Sequence, residues 1–231
     1  MKWFFIAIVF VPIVASPVLA ATRYYFPSTG EVVTITPTFD STWAVTTEAD
    51  RRWCHTYRTS TSLESEKAAS NTAATQNILN RQYISDALLA PTVIKGNVRG
   101  QLRCLESSPS SNAFTCVVIK VVSSTGAYRA TILPSWAGAN EFNSTSYTNR
   151  YIPSVTALTT YTAEAGDRIV FEIGVSKQGA TGQPREDREM FGDNSASDLL
   201  ADELDTTASN PWIEFDQDIV VPGKSSVTIV D

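Results

Sequence analysis

Phe114 to Ser123, with the sequence FTCVVIKVVS, form a nearly continuous run of apolar, mostly β-branched residues. Such residues favour extended backbone, and a run without polar alternation is typical of a strand that is covered on both faces. Other strand-like segments recur between turn-rich loops, and the whole pattern predicts an all-β, antiparallel β-sandwich. These segments are Glu31–Pro37, Arg51–Thr59, Thr92–Glu106, Tyr128–Leu133, Arg150–Tyr161, Asp167–Val175, Met190–Phe191 and Trp212–Val221.

One stretch, Ser62 to Leu79, has a composition that favours helix in part. Its glutamates and alanines are helix formers, but a polar group that includes Ser70, Asn71 and Thr72 interrupts them. We expect mainly a long connection here. Two further long loops are expected at Gln178–Glu189 and Gly192–Asn210.

The first twenty residues have the pattern of a secretory signal peptide. Lys2 precedes the apolar run Trp3–Ala15, and small residues end the segment at Ala20. The run is shorter than the roughly 20 apolar residues of a membrane-spanning helix. We therefore expect residues 1–20 to be removed and residues 21–231 to form one secreted domain, extracellular or periplasmic, with no membrane attachment after cleavage.

Composition limits the classes of partner. The 231-residue chain is 43% hydrophobic and has a formal net charge of −6, as expected for a globular protein with one core. An acidic protein has no basic surface to neutralise a phosphate backbone, so nucleic acid is excluded as an expected partner. No cofactor motif is recognised.

Three cysteines, Cys54, Cys104 and Cys116, would meet an oxidising compartment after export. If Gln101–Ser107 and Phe114–Val122 form a hairpin that turns near Ser110, then Cys104 and Cys116 face each other across it. Two interpretations follow: a cross-strand disulfide between Cys104 and Cys116, or two small side chains that pack as thiols. Cys54 would be a buried thiol.

Several phrases of the chain occur together in one group of proteins. They are Ala21–Ser28 (ATRYYFPS), Arg81–Ser85 (RQYIS), Ala165–Gly174 (AGDRIVFEIG) and Asn210–Phe215 (NPWIEF). The set resembles uncharacterised, jelly-roll-like proteins common in bacteriophage and environmental sequences, over nearly all of the chain after the leader. The resemblance implies a jelly-roll β-sandwich and a virion or surface role, and it brings no catalytic motif. In the third phrase, Gly166-Asp167 is itself a turn signal that starts a strand.

The segment Glu214–Asp218 (EFDQD) is the strongest catalytic candidate. Alternation along a strand would place Glu214, Asp216 and Asp218 on one face. The segment is similar to the E-x-D-x-E strand of laminarinase-like glycoside hydrolases, in which two glutamates act as nucleophile and acid. Asp218 stands where that pattern has glutamate. We favour the other interpretation, the solvated charged face of a terminal or edge strand.

Acidic residues are concentrated in the loop Gly192–Asn210. Asp193, Asp198 and Asp202 could offer oxygen ligands to a structural calcium ion, although the spacing is not that of an EF-hand. A solvated acidic loop is the alternative interpretation.

Aromatic side chains near loops could stack on sugar faces. Trp136, in an expected loop from Pro134 to Asn140, is the main candidate, followed by Tyr147 and Tyr151. The sequence thus predicts a non-catalytic protein that recognises glycans or a cell surface. The alternatives are a structural subunit of a virion or extracellular assembly, in which a homo-oligomer is expected, and a glycoside hydrolase that uses Glu214 and Asp216.

Overall fold

The structure, a computed structural model, describes residues 21–29, 33–47, 49–59, 65–71, 75–178, 185–194, 196–204 and 210–222. All the regular secondary structure within these ranges is β-strand. The described residues contain no helix long and apolar enough to cross a membrane. The predicted leader, residues 1–20, lies outside the described residues. The strands are β1 (Thr22–Tyr25), β2 (Asp50–Cys54), β3 (Ser65–Asn71), β4 (Gln76–Ser85), β5 (Thr92–Ile94), β6 (Asn97–Glu106), β7 (Ala113–Val122), β8 (Tyr128–Ala137), β9 (Thr148–Tyr151), β10 (Thr156–Ala157), β11 (Tyr161–Ala163), β12 (Arg168–Lys177), β13 (Arg185–Phe191) and β14 (Trp212–Phe215).

Two main sheets form the sandwich. In sheet A, the pair β1-β14 and the pair β3-β13 both lie along one side of β6, and β9 and β10 pair with its opposite side. Sheet B has the order β2-β4-β12-β7-β8, and β5 pairs with β11 separately. All pairs between named strands are antiparallel except β2 with β4, so sheet B is mixed rather than purely antiparallel.

The strand order confirms the predicted jelly-roll-like sandwich. Its eight principal strands are arranged as β3-β13-β6-β9 in sheet A and β4-β12-β7-β8 in sheet B. Along the chain, the steps from β3 to β4, β6 to β7, β8 to β9 and β12 to β13 each cross from one sheet to the other. This is the double Greek key arrangement of a jelly roll.

The main core lies between the sheets. β12 contributes Ile169, Phe171 and Ile173 to it, and all three are fully buried. The ring of Phe171 lies 5.2 Å from that of Tyr24 on β1 and 6.1 Å from that of Phe215 on β14. Aromatic contacts at these distances hold β1 and β14 of sheet A against sheet B.

An irregular arm, residues 33–45, covers the outer face of sheet B. Val33 of the arm packs with Val122 and Val170, and Trp43 packs with Cys116 and Val118. The side chains on the opposite face of β7, such as Val117 and Ile119, belong to the main core. The prediction that residues 114–123 form a strand covered on both faces is therefore confirmed.

A buried carboxylate fastens this arm to sheet B. Glu172 on β12 is fully buried and accepts hydrogen bonds from the backbone N–H of Asp40 at 3.0 Å and from Nε1 of Trp43 at 2.7 Å. Gln82 donates to its other oxygen at 2.8 Å, and the ammonium group of Lys120 pairs with that same oxygen. The charge of Glu172 is thus both neutralised and hydrogen-bonded.

The expectation of a long connection at Ser62–Leu79 is wrong. Ser65–Asn71 form β3, which pairs with β13, and residues from Gln76 onward form β4. Alanine and glutamate favour helix only weakly, and pairing with a neighbouring strand overrides that preference. The expected loop Gln178–Glu189 likewise contains β13 from Arg185, and its residues 179–184 lie outside the described residues.

The predicted hairpin between Cys104 and Cys116 is also wrong. Cys104 lies on β6 in sheet A, whereas Cys116 lies on β7 in sheet B, because the turn between them crosses the sandwich. Cys104 faces the main core, and Cys116 faces the arm. All three cysteines are buried free thiols, so of the two interpretations the structure supports thiols.

A β-bulge at Asn80 interrupts the pairing of β4 with β12. The register passes from Ile173 opposite Arg81 to Gly174 opposite Leu79. A Cβ atom at Gly174 would lie 2.0 Å from the carbonyl oxygen of Ile78, so the close strand approach requires glycine. The extra residue turns the side chain of Asn80 inward, where it meets a buried carboxyl group of β13.

Candidate functional site

A row of alternating charges crosses the outer face of sheet A. Glu214 on β14 accepts hydrogen bonds from Arg23 on β1 at 2.8 Å and from Arg99 on β6 at 2.8 Å. Strand pairing builds this row, since Glu214 lies directly opposite Arg23 on one side and Arg99 on the other. Each oxygen of Glu214 is bound by one guanidinium group.

The buried ring of Trp212 packs against the guanidinium groups of both arginines. Its ring is 1% exposed, and its Nε1 donates to the carbonyl oxygen of Leu199 at 2.8 Å. The guanidinium group of Arg23 lies 4.0 Å from the ring centroid and that of Arg99 5.8 Å. Cation–π contact and the carboxylate together restrict the orientation of both arginines.

Asp198 extends the row at the β1 side. Its carboxylate accepts from Arg23 at 2.7 Å, from Arg58 at 2.6 Å and from the hydroxyl group of Tyr25 at 3.1 Å. Burial, and then the charge of Asp198, raises the pKa of Tyr25. This aspartate therefore ties the loop after β13 to sheet A.

A surface cavity of about 300 Å³ lies at the β6 end of the row. Arg99 and Glu214 bring charge to its wall, and Val155 contributes an apolar side chain that is 68% exposed. A volume of this size is at the lower end for small-molecule sites. The lining residues are Ala21, Asn97, Val98, Arg99, Val155, Glu214 and Asp216.

Asp216 and Asn97 form a hydrogen-bonded part of the wall. The carboxylate of Asp216 accepts from the backbone N–H and from Nδ2 of Asn97, both at 2.9 Å. Gly96, beside it, has a φ of +80°, and a Cβ atom there would lie 2.3 Å from Asp216 Oδ1. Glycine at 96 thus allows the carboxylate to approach the backbone.

The predicted alignment of three carboxylates on one strand is only partly present. Glu214 and Asp216 line the same cavity, but β14 ends at Phe215, so both Asp216 and Asp218 lie beyond the strand. β14 lies between β1 and β6, and the interpretation of an edge strand is therefore wrong. Both carboxylates accept hydrogen bonds from this chain's own donors.

The three aromatic candidates lie on different elements. Trp136 lies on β8 rather than in a loop, and its partly buried ring packs against the main core. Tyr151 lies on β9 in the other sheet. Tyr147 precedes β9, has the guanidinium group of Arg103 at 5.4 Å from its ring, and hydrogen-bonds to Glu66.

The three calcium candidates also lie apart. Asp193 accepts hydrogen bonds from the backbone N–H and hydroxyl group of Thr59, at 3.0 and 2.7 Å, while Asp198 belongs to the charged row. Asp202 accepts from the backbone N–H of Leu204. Over the described ranges, no three histidine, cysteine, aspartate or glutamate side chains gather as ligands. The calcium site stays a prediction.

His55, the chain's single histidine, hydrogen-bonds through Nδ1 to Asp86 at 2.9 Å and stacks on the ring of Tyr57.

Sequence reasoning did not identify Arg99, Asn97 or Val155 as site residues. For Asn97 and Arg99, the only indication in the sequence was the alternation of polar and apolar residues, which turns both side chains outward on β6. Their meeting with β14 depends on pairing that spans more than a hundred residues.

Comparisons with known proteins find only low similarity to this chain. No family model and no curated protein matches the sequence. A CocE/NonD family hydrolase from Staphylococcus aureus is similar at 8% identity and a TM-score of 0.42, over 86% of this chain and 37% of that chain. Structures of infectious bursal disease virus, strains Gx and Gt, are similar at 9% and 13% identity with TM-scores of 0.31, over 66% and 68% of this chain. This chain spans about a third of the length of each of these proteins, 37%, 33% and 34%.

Proposed function

We propose that this protein is a secreted, non-catalytic jelly roll that recognises a glycan, free or on a cell surface, at the cavity beside Arg99. The observation that carries the proposal is the composition of the cavity wall. A guanidinium group, an amide and two carboxylates converge there next to the exposed side chain of Val155. Planar polar groups of this kind hydrogen-bond to sugar hydroxyl groups, and an apolar side chain suits a C–H face of the ring.

Contacts within the protein orient the side chains of the wall before any ligand arrives. Glu214 and Trp212 hold Arg99, and Asn97 holds Asp216. A site whose side chains are already oriented loses little conformational entropy on binding, which favours recognition by a few polar contacts.

The same contacts argue for binding rather than hydrolysis. A retaining glycosidase needs one carboxylate free to attack and a second that donates a proton. Glu214 instead has both oxygens bound by arginines, and Asp216 has both oxygens bound by Asn97. These carboxylates act best as fixed hydrogen-bond acceptors.

The proposal is tested by binding of the secreted protein to a panel of immobilised polysaccharides and cell-surface glycans. Arg99→Ala removes an exposed donor and should weaken binding by about tenfold to a hundredfold, the cost of one hydrogen bond to a charged group. The matched control is Arg129→Ala, whose arginine is also exposed and also pairs with a glutamate, Glu164, but lies on β8. The control should bind as wild type does.

Two results would contradict the proposal. A wild-type protein that binds no glycan of the panel removes glycan recognition. Equal loss of binding in Arg99→Ala and Arg129→Ala removes the cavity as its site. If the bound glycan is also cleaved, and Glu214→Gln abolishes cleavage, the protein is a glycoside hydrolase instead.

A second candidate function, a structural subunit of a virion or extracellular assembly, is favoured by one surface. Leu89, Val93 and Val220 are 59%, 47% and 45% exposed at one end of the sandwich. A hydrogen bond from Leu89 N to Val220 O at 3.0 Å links two of them, and Gln217 Nε2 donates to Val93 O at 3.1 Å. Adjacent exposed apolar side chains often mark protein contacts.

Sedimentation velocity at micromolar concentration separates the two candidates. An assembly subunit forms defined oligomers that Leu89→Ser disperses, while Val155→Ser, a substitution of another exposed apolar residue, leaves them intact. A strict monomer at all concentrations contradicts the assembly function and leaves glycan recognition unaffected.

A further inference from the structure

Three carboxyl side chains, Glu106, Asp187 and Glu189, lie between the sheets, where apolar residues are usual. We call them the acid cluster. Glu106 is 2% exposed, and the other two are fully buried. Asp187 lies directly opposite Glu106 in the pairing of β13 with β6, and Glu189 lies opposite Cys104, which belongs to the main core. Like charges at directly opposed positions destabilise a strand pair.

The acid cluster has few hydrogen-bond donors. Asn80, turned inward by the β-bulge, donates to Glu189 Oε2 at 2.8 Å, and the backbone N–H of Ala113 donates to Glu106 Oε2 at 3.2 Å. Among the described residues, Glu189 Oε1 and both oxygens of Asp187 have no hydrogen bond of good geometry, although the donors Ser111 and Lys177 lie near Asp187. A buried ionised carboxylate without donors is costly, whereas a protonated carboxyl group can donate to a neighbouring acceptor.

Ionisable and polar groups face the acid cluster from every element around it. Burial raises the pKa of Glu189 to about 8, against the lowering effects of Asn80 and Arg81. Burial raises the pKa of Glu106 to about 7, and it also raises that of Asp187, which Ser111 and Lys177 partly offset. The facing groups are Asn80 and Arg81 on β4, Cys104 on β6, Ser111 before β7, Cys116 on β7, Glu141 before β9, Lys177 on β12, and Arg185 and Glu186 on β13.

The strands beside the acid cluster have short pairings with the rest of sheet A. β13 pairs with β6 only from Asp187 to Met190, and β3 is held in sheet A by β13 alone among the described strands. Two hydrogen bonds between Ser107 and Glu186 close this end. Repulsion between Glu106 and Asp187 would therefore act on the pairing that holds both outer strands.

We propose that the acid cluster is a pH-dependent switch of the β3–β13 edge, closed while Glu106, Asp187 and Glu189 are largely protonated and loosened when they ionise. The sign follows from linkage. The folded protein binds protons more tightly than the unfolded chain does, so the stabilisation is complete below the carboxyl groups' unfolded pKa and is lost as the pH rises through their raised folded pKa values. The pH window runs from about 4.5 to about 8.

Amide hydrogen exchange and urea unfolding between pH 5.5 and 8.5 test the switch. After correction for intrinsic exchange rates, amides of β3 and β13 should lose protection at pH 8.5 while those of β7 and β12 keep it. The folding equilibrium constant should fall by at least on the order of a hundredfold across this range. Glu189→Gln, which keeps the shape but cannot ionise, should remove most of that decrease. Glu164→Gln, a substitution of an exposed carboxylate on another face, should leave it unchanged.

Equal stability of the wild type at pH 5.5 and 8.5 would overturn the proposal, and so would the same decrease in Glu189→Gln as in the wild type. If Glu189→Gln does not fold, infrared spectroscopy of the wild type decides. A band of protonated carboxyl groups that persists in the folded protein at pH 6.5 supports the switch, and its absence there contradicts it.

Discussion

Lys120→Met isolates the contribution of the buried ion pair that holds the arm on sheet B. The side chain of Lys120 is 3% exposed and that of Glu172 is fully buried, so removal of the ammonium group leaves an ionised carboxylate without its counter-charge. Such a loss costs about 3–5 kcal/mol. Because a chain of this size loses about 2–4 °C per kcal/mol, the thermal midpoint should fall by about 6–20 °C.

The comparison that makes this result specific is a double-mutant cycle. Lys120→Met combined with Glu172→Gln removes both charges, and its loss in free energy of unfolding should be smaller than the sum of the single losses by at least about 2 kcal/mol. Arg129→Met, which breaks an exposed pair with Glu164 at 2.8 Å and a longer pair with the buried Asp167 at 3.5 Å, should cost less than Lys120→Met does. Urea unfolding measures all four variants. A cost of less than about 1 kcal/mol for Lys120→Met would refute the account of the arm as fastened by Glu172.

Two more predictions concern the strand core. Gly174→Ala should lower the free energy of unfolding by about 3 kcal/mol or more, because the new Cβ meets the carbonyl oxygen of Ile78 at 2.0 Å. The control Ala165→Gly, in a loop, should cost much less. A Gly174→Ala variant that unfolds at the same urea concentration as the wild type would contradict the bulge geometry. Burial raises the pKa of the Cys116 thiol to about 12. A thiol reagent at pH 8 should therefore label none of the three buried cysteines in the native protein and all of them in urea. A thermal midpoint that shifts when dithiothreitol is added would indicate a disulfide and contradict the free thiols.

Local sequence pattern was sufficient for the fold class and for the faces of the longest strands. The apolar run of β7 predicted burial on both sides, and the turn at Gly166-Asp167, with a φ of +90° at Gly166, precedes β12 as expected. Both signals are local. They require only that β-branched residues and glycine adopt the backbone conformations that suit them.

Strand partners could not be predicted in the same way. Alternation in β6 tells which side chains share a face, but it does not tell whether the strand turns back on itself or crosses to the other sheet. The hairpin between Cys104 and Cys116 was wrong for this reason. β3, with the sequence SEKAASN, has neither alternation nor β-branched residues, and only its pairing with β13 makes it a strand.

The candidate site shows the same limit. Glu214 and Asp216 were identified because they stand two residues apart. Arg99 and Asn97, more than a hundred residues earlier, could join them only through the pairing of β14 with β6. Trp136 was placed in a loop because Pro134 and Gly138 are turn formers, but β8 tolerates a proline at the edge of its sheet.

A crystal structure of the protein with the glycan that binds best in the panel tests the central claim most directly. The account predicts a sugar in the cavity beside Val155, with hydroxyl groups hydrogen-bonded to Arg99 and Asp216 and the glycosidic bond intact. A sugar bound elsewhere on the protein, or a cleaved one next to Glu214, would contradict it.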